Sequence, residues 1–199
     1  MTRRPIILAS GSAARKQMLT LAGLHFEVVP ADVDEDHIRE RLVGSATHRD
    51  MAVALAEAKA LAVAVKHPGA TVIGADQILS FREQVWSKPG SRDGARKTLA
   101  ALQGGTHQLF SAVALASGDR VAWRTVMTAT LAMRSLSRHD VECYLDEVGD
   151  HIFGCVGAYQ IEGPGIRLFE RIDGDYFTIM GMPLLPLLGA LRQIESVSA

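Results

Sequence analysis

Pro5-Ile6-Ile7-Leu8-Ala9-Ser10-Gly11-Ser12-Ala13-Ala14-Arg15 is an apolar run that gives way to small polar residues and then resumes at helical spacing. A short apolar run bounded by a small polar turn has the length of a buried strand, not of a helix. Ser10-Gly11-Ser12 makes the turn; Met18, Leu19 and Ala22 then share one helical face until Gly23 closes the element. Strand, tight turn and helix in that order open an α/β fold. Working outward, Phe26 to Val29 forms a second strand with an acidic loop after it. An alanine-rich helix covers Thr47 to Val65 and stops at His67-Pro68-Gly69. Thr71-Val72-Ile73-Gly74-Ala75 is a buried strand ending at Asp76, and two short strands flank Arg82-Glu83 as a hairpin.

The second half alternates in the same way. Ser91 to Leu102 is helical and is stopped by Gly104-Gly105. His107 to Ala132 carries two strands that turn at Ser117-Gly118-Asp119-Arg120. Ser137 caps a helix to Leu145, with Asp140 in the capping-box position. Strands are expected near Gly157 to Ile161 and Ile166 to Ile172, and Pro183 starts a last helix to about Ile194. Hairpins among alternating helices and strands predict a mixed sheet.

At 199 residues, 48% of them hydrophobic and 22% charged, the chain is one compact α/β domain spanning 1–199, or two small lobes folded as a unit. That composition excludes a disordered chain or a coiled coil. A formal net charge of −1 provides no global positive field, so a general nucleic-acid binder is not expected. The two cysteines, Cys143 and Cys155, have neither zinc-type spacing nor a disulfide framework and are expected to be free thiols in a reducing compartment. Thr2-Arg3-Arg4 leads into too short an apolar run for an export signal, and the apolar stretch from Ile179 to Leu191 is broken by glycines and prolines. A cytoplasmic protein without membrane contact is the expectation.

Four segments could carry chemistry. Ser10-Gly11-Ser12 before a helix offers free backbone N–H groups to an anion, and Arg15 on the first turn could grip a phosphate with two donors. The same pattern serves an ordinary helix cap beside a surface arginine. Asp32-Val33-Asp34-Glu35-Asp36 gathers oxygen donors suited to Mg²⁺, which uses one or two carboxylates plus substrate phosphates; it equally suits a solvated acidic loop. Asp76 at the carboxyl end of a buried strand stands where open α/β sheets place their ligands, or caps a turn. Lys59 and Lys88 are point charges of the kind a phosphate site needs, although most lysines are simply exposed. The seven histidines lack paired metal-ligand spacing, and no phosphate-binding loop of the Walker type is present.

In order along the chain, Ala9-Ser10-Gly11-Ser12-x-x-Arg15, Asp34-Glu35, Ala56-x-x-Lys59-Ala60, Gly74-Ala75-Asp76 and Lys88-Pro89 resemble the Maf family of nucleotide pyrophosphatases. Leu102-x-Gly104 with His107, Gly157-Ala158-Tyr159, Gly174-Asp175-Tyr176 and Gly181-Met182-Pro183-Leu184 continue the likeness to nearly the whole chain. The resemblance implies an elongated mixed β-sheet flanked by helices around a deep cleft, an architecture shared with inosine-triphosphate pyrophosphatases, and often a homodimer. It implies hydrolysis of a nucleoside triphosphate to the monophosphate and pyrophosphate, aided by a divalent cation, Mg²⁺ or Mn²⁺. By this likeness Asp76 is the proton acceptor, Glu35 and Asp76 are the carboxylates near the metal, and Ser10, Arg15, Lys59 and Lys88 face the phosphates.

The same likeness extends to substrate choice. Members acting on dTTP and UTP usually carry threonine and glutamine at two positions occupied here by Gln77 and Glu162, a pair that looks like the subgroup associated with 7-methyl-GTP. A carboxylate can accept from guanine N–H groups or face a cationic methylated base, whereas pyrimidine carbonyls offer it nothing comparable. Ala14 departs from the bulky or basic residue that many members carry before the equivalent of Arg15, removing one specificity marker. The contrasting expectation is a nucleotide-binding regulator of cell division without catalysis; retention of Asp76, Glu35 and both lysines favours the enzyme.

Overall fold

The computed structural model describes residues 4–197, so Thr2 and Arg3 of the basic start lie outside the described residues. In chain order the elements are β1 (Ile6–Leu8), α1 (Ala13–Leu21), β2 (Glu27–Val28), α2 (Glu35–Leu42), α3 (His48–Ala64), β3 (Thr71–Phe81) and β4 (Gln84–Trp86). There follow α4 (Arg92–Leu102), β5 (Thr106–Ser117), β6 (Arg120–Met133), α5 (Arg138–Val148), β7 (Phe169–Asp173), α6 (Tyr176–Ile179) and α7 (Leu184–Val197). The strands form one mixed sheet in the order β2-β1-β3-β5-β6-β7, with β4 beside β3. The chain divides into two compact units, and β3, β5 and β6 each run from one into the other.

The first unit holds residues 1–77, 111–127 and 181–199. Here β1 lies parallel to both β2 and β3, with Ile7 opposite Val72 and Leu8 opposite Ile73. Parallel neighbours require crossovers, which α1, α2 and α3 supply. Ser12 caps α1, its hydroxyl accepting from the Arg15 N–H. Thr47 and Asp50 close a reciprocal capping box at the start of α3. Ala52, Ala56, Ala60 and Ala64 recur every four residues along α3 and are all buried. That stripe of small side chains lets β3 approach closely: a Cβ on Gly74 would stand 2.2 Å from the Ala56 carbonyl oxygen and 2.5 Å from the Ala60 nitrogen. Only glycine fits there.

The second unit holds residues 78–110 and 128–180. Its hairpin pairs Leu79 with Trp86, and β6 lies antiparallel to β7 with a bulge at Ala132/Met133. Leu99 and Leu102 of α4, Val141 and Leu145 of α5, and Leu79, Leu109 and Leu131 of the strands share one core. Ser137 and Asp140 form the expected capping box on α5, and Ser91 caps α4. His107, buried in this unit, shares a 2.7 Å hydrogen bond with the Tyr159 hydroxyl, while Phe169 stacks edge-on against Tyr159. Burial holds His107 down at about 4 and pushes the Tyr159 hydroxyl up, so the imidazole is neutral and the phenol protonated at neutral pH.

Three local expectations are corrected. The acidic segment is not all loop: Asp34 accepts from the His37 N–H as an N-cap, and Glu35–Leu42 is helical. The strand does not stop at Asp76 but runs on to Phe81, because Ile78, Leu79 and Phe81 continue the buried pattern. Gly157 to Ile161 is not a strand, since Gly157 (φ +85°) and Ala158 (φ +61°) sit in the left-handed region. Cys143 and Cys155 are free, and no described helix is long and apolar enough to cross a membrane.

Candidate active site

Asp76 sits within β3 and is 5% exposed. It faces Lys59, which lies between Leu55 and Val63 on the buried face of α3 and whose side chain is only 12% exposed. A lysine so placed needs a counter-charge, and it has two. Its Nζ donates to Asp76 Oδ1 at 2.6 Å and lies 2.8 Å from Glu35 Oε1. Glu35 is the first helical residue of α2, just after the Asp34 cap, which aims its half-buried carboxylate at Lys59. Its other oxygen accepts from Arg39 at 2.7 Å, one helical turn away. Burial tends to raise the Glu35 pKa, but Lys59, and then Arg39, outweigh it and hold the carboxyl below its ordinary value.

Asp76 Oδ2 is buried and has no hydrogen-bond partner among the described residues. Leaving a carboxylate oxygen unpartnered is costly and marks a position built to meet another group. Close by, the buried Arg15 guanidinium ties three segments together. Nε donates to the Gly181 carbonyl at 2.9 Å, and Nη1 donates to the Ala75 carbonyl at 2.8 Å and to Ser10 Oγ at 3.1 Å. Desolvation lowers the Arg15 pKa, opposed by the negative charges of Asp76 and Glu35. Arg15 is therefore a buried brace beside Asp76, not the surface arginine of an ordinary helix cap.

Ser10, Arg15, Glu35, Lys59, Asp76 and Gln77 all belong to the first unit, and Lys59 physically joins Glu35 to Asp76. Ala14 is half-buried on α1. Gln77 donates from Nε2 to the fully buried Ser111 hydroxyl at 2.9 Å, which fixes its amide. Lys88 and Glu162 belong to the second unit and are exposed; both act on the Cys155 thiol, which burial pushes up, Glu162 raising it further and Lys88 lowering it. Of the acidic run, Asp32, Asp34 and Asp36 are exposed, and Glu35 alone joins Asp76 through Lys59.

Arg39 and Ser111 lie outside every candidate segment of the sequence, and Gly181 enters only as part of the Gly181-Met182-Pro183-Leu184 motif. Arg39 could have been found from its four-residue spacing to Glu35; Ser111 and Gly181 depend on long-range pairing that no local pattern reveals. No cluster of three or more His, Cys, Asp or Glu able to hold a metal exists among the described residues. Two carboxylates, one carrying an unpartnered buried oxygen, do fit a hard cation that takes its remaining ligands from substrate phosphates and water.

The family model described as Maf-like protein matches residues 5–194. The 7-methyl-GTP pyrophosphatase of Mesorhizobium japonicum is 51% identical over 193 residues, 96% of this chain and 97% of that protein. The protein of the same name from Brucella abortus is 49% identical over equal shares. The nucleoside triphosphate pyrophosphatase of Bradyrhizobium diazoefficiens is 46% identical, covering 98% of this chain and 96% of that one.

Proposed function

The chain belongs to the family of Maf-like proteins, and on that premise we propose that it hydrolyses a purine nucleoside triphosphate to the monophosphate and pyrophosphate, with Asp76 as base. The enzyme class, a hydrolase of acid anhydrides, is that of relatives sharing about half of their residues with it along nearly their full length. One observation carries the assignment of the base. Asp76 Oδ1 is pinned by Lys59, while Oδ2 is buried with no partner among the described residues, so one carboxylate oxygen is oriented and the other is available to take a proton from water.

The neighbouring groups have complementary tasks. Before metal and substrate arrive, Lys59 holds the Asp76 carboxylate in one orientation. Arg15 fixes the backbone on either side, bonding the carbonyl of Ala75, the residue before Asp76, and that of Gly181. Ser10 and the helix N-terminus of α1 suit phosphate oxygens, and the exposed Lys88 is a point charge of the kind that phosphates attract. Glu35 and Asp76 would hold a divalent cation, which when bound supplies positive charge to the phosphate oxygens as they accumulate negative charge. Asp76 then takes the proton of the attacking water, and pyrophosphate leaves.

Purine selection rests on Gln77 and Glu162. The Gln77 amide donates to the buried Ser111 hydroxyl, which fixes the plane of its side chain. The exposed Glu162 carboxylate can accept from guanine N–H groups or face a base made cationic by methylation. Relatives named 7-methyl-GTP pyrophosphatase support that choice. A pyrophosphate-release screen over ordinary and methylated nucleoside triphosphates, with Mg²⁺ or Mn²⁺, tests it. Greatest kcat/KM on 7-methyl-GTP is expected; preference for dTTP or UTP would overturn the roles given to Gln77 and Glu162.

A further inference from the structure

Lys59 stands where a cation shared by Glu35 and Asp76 would stand. Its ammonium contacts one oxygen of each carboxylate, at 2.8 Å and 2.6 Å, and its side chain is nearly buried between them. The remaining oxygens differ sharply: Glu35 Oε2 is taken by Arg39, whereas Asp76 Oδ2 is buried and has no partner among the described residues. The pair is thus neutralised on three of its four oxygens by side chains of the same unit.

We propose that Lys59 is a built-in competitor for the divalent cation, which reaches Glu35 and Asp76 only as the ammonium gives up its hold on one or both carboxylates. The inference rests on the metal role of these two residues argued above. Two positive groups cannot share the same carboxylate oxygens at contact distance without strong repulsion in a partly buried site. The lysine stem is flexible and its ammonium is a point charge with three rotatable donors, so it can leave a carboxylate and meet a phosphate oxygen instead. Incoming triphosphate therefore offers Lys59 a new partner as the carboxylates turn to the metal. Lys59 thus links two events that would otherwise be independent: it restrains metal binding until a phosphate can receive it.

The test is Mn²⁺ binding without nucleotide, followed by electron paramagnetic resonance of free Mn²⁺ and by calorimetry, on wild type, Lys59→Met, Lys59→Arg and Asp76→Asn. Lys59→Met should bind Mn²⁺ more tightly than wild type, by about tenfold or more, even though it removes a residue that turnover needs. Lys59→Arg, which keeps the charge, should not tighten binding, and Asp76→Asn should weaken it. A control that removes an exposed charge, Lys66→Met, should leave the affinity within about twofold of wild type, as expected for a screened surface charge.

Thermal unfolding gives a second measurement. Lys59→Met leaves two carboxylates without their shared cation, so saturating Mn²⁺ should raise its melting temperature more than that of wild type. Unchanged or weaker Mn²⁺ binding in Lys59→Met, with binding still lost in Asp76→Asn, overturns the competition while preserving the metal site. Mn²⁺ binding that is indifferent to Asp76 in every background overturns both.

Discussion

Gly74→Ala probes the contact that sets Lys59 against Asp76. In the native protein β3 passes so close to α3 that an added Cβ would lie 2.2 Å from the Ala56 carbonyl oxygen, 2.5 Å from the Ala60 nitrogen and 2.8 Å from the Ala60 Cβ. The first two are helix backbone atoms and cannot rotate away. Bringing the 2.2 Å contact out to 3.4 Å, where ordinary van der Waals contact begins, requires strand and helix to separate by about 1.2 Å. Overpacking of this kind costs about 1–3 kcal/mol. Lys59 is carried by the helix and Asp76 by the strand, only two residues beyond Gly74, so the same shift strains their 2.6 Å bond. A displacement of about 1 Å at a catalytic group costs on the order of 10²-fold in rate. Urea unfolding gives the stability loss, and steady-state pyrophosphate release, under conditions where circular dichroism shows the variant folded, gives the rate. A variant with wild-type stability and wild-type kcat would refute the claim that this contact sets the geometry of the pair.

Three further outcomes are expected. His107 is held at about 4 by burial, below its unfolded value near 6.5, so the unfolded chain takes up a proton first as the pH falls. The resulting stability is fully present above pH 6.5 and is lost between 6.5 and 4, on the order of 2–3 kcal/mol; urea midpoints across that range should slope less in His107→Gln than in wild type, and equal slopes would count against it. Tyr159→Phe strips His107 Nε2 of its hydroxyl partner in a buried site and should destabilise by about 1–3 kcal/mol in urea unfolding. Arg15→Lys cannot reproduce a brace to Gly181, Ala75 and Ser10, so it should lose about 1–3 kcal/mol and lower kcat/KM together, measured by unfolding and kinetics; full activity would show that the fork is dispensable.

Much of the fold is legible because local signals and tertiary packing agree. The caps at Ser12, Thr47, Ser91 and Ser137 were each marked by a small hydroxyl residue before a periodic segment, and each is satisfied in the structure. Legibility fails where one signal masks another. Five consecutive residues from Asp32 to Asp36, four of them acidic, suggested a solvated loop, yet an acidic cap, an acidic first turn and Arg39 and Arg41 in the last turn describe a helix that complements its own dipole. Asp76 looked like a strand end because charged residues rarely sit inside a buried strand; here Lys59 compensates the charge and β3 continues.

The site shows the same division. Asp76, Glu35 and Lys59 stand in three separate segments of the sequence, and the structure joins them through one ammonium group. A lysine four residues from Leu55 and from Val63 on a buried helical face was the available clue that these charges meet. The role of Arg15 was visible only in part: its residue type and position suggested contact with a ligand, but the carbonyls of Ala75 and Gly181 come to it from 60 and 166 residues away. Backbone acceptors leave no trace in residue identity.

If Asp76 is the base that takes the proton of water, removing its charge must slow turnover while leaving the fold and the nucleotide site in place. Single-turnover pyrophosphate release by Asp76→Asn, with nucleotide binding and circular dichroism measured on the same preparation, tests it most directly. The expected result is a folded protein that still binds nucleotide and releases pyrophosphate about 10²–10⁴-fold more slowly. Release at nearly the wild-type rate from the folded variant would contradict it.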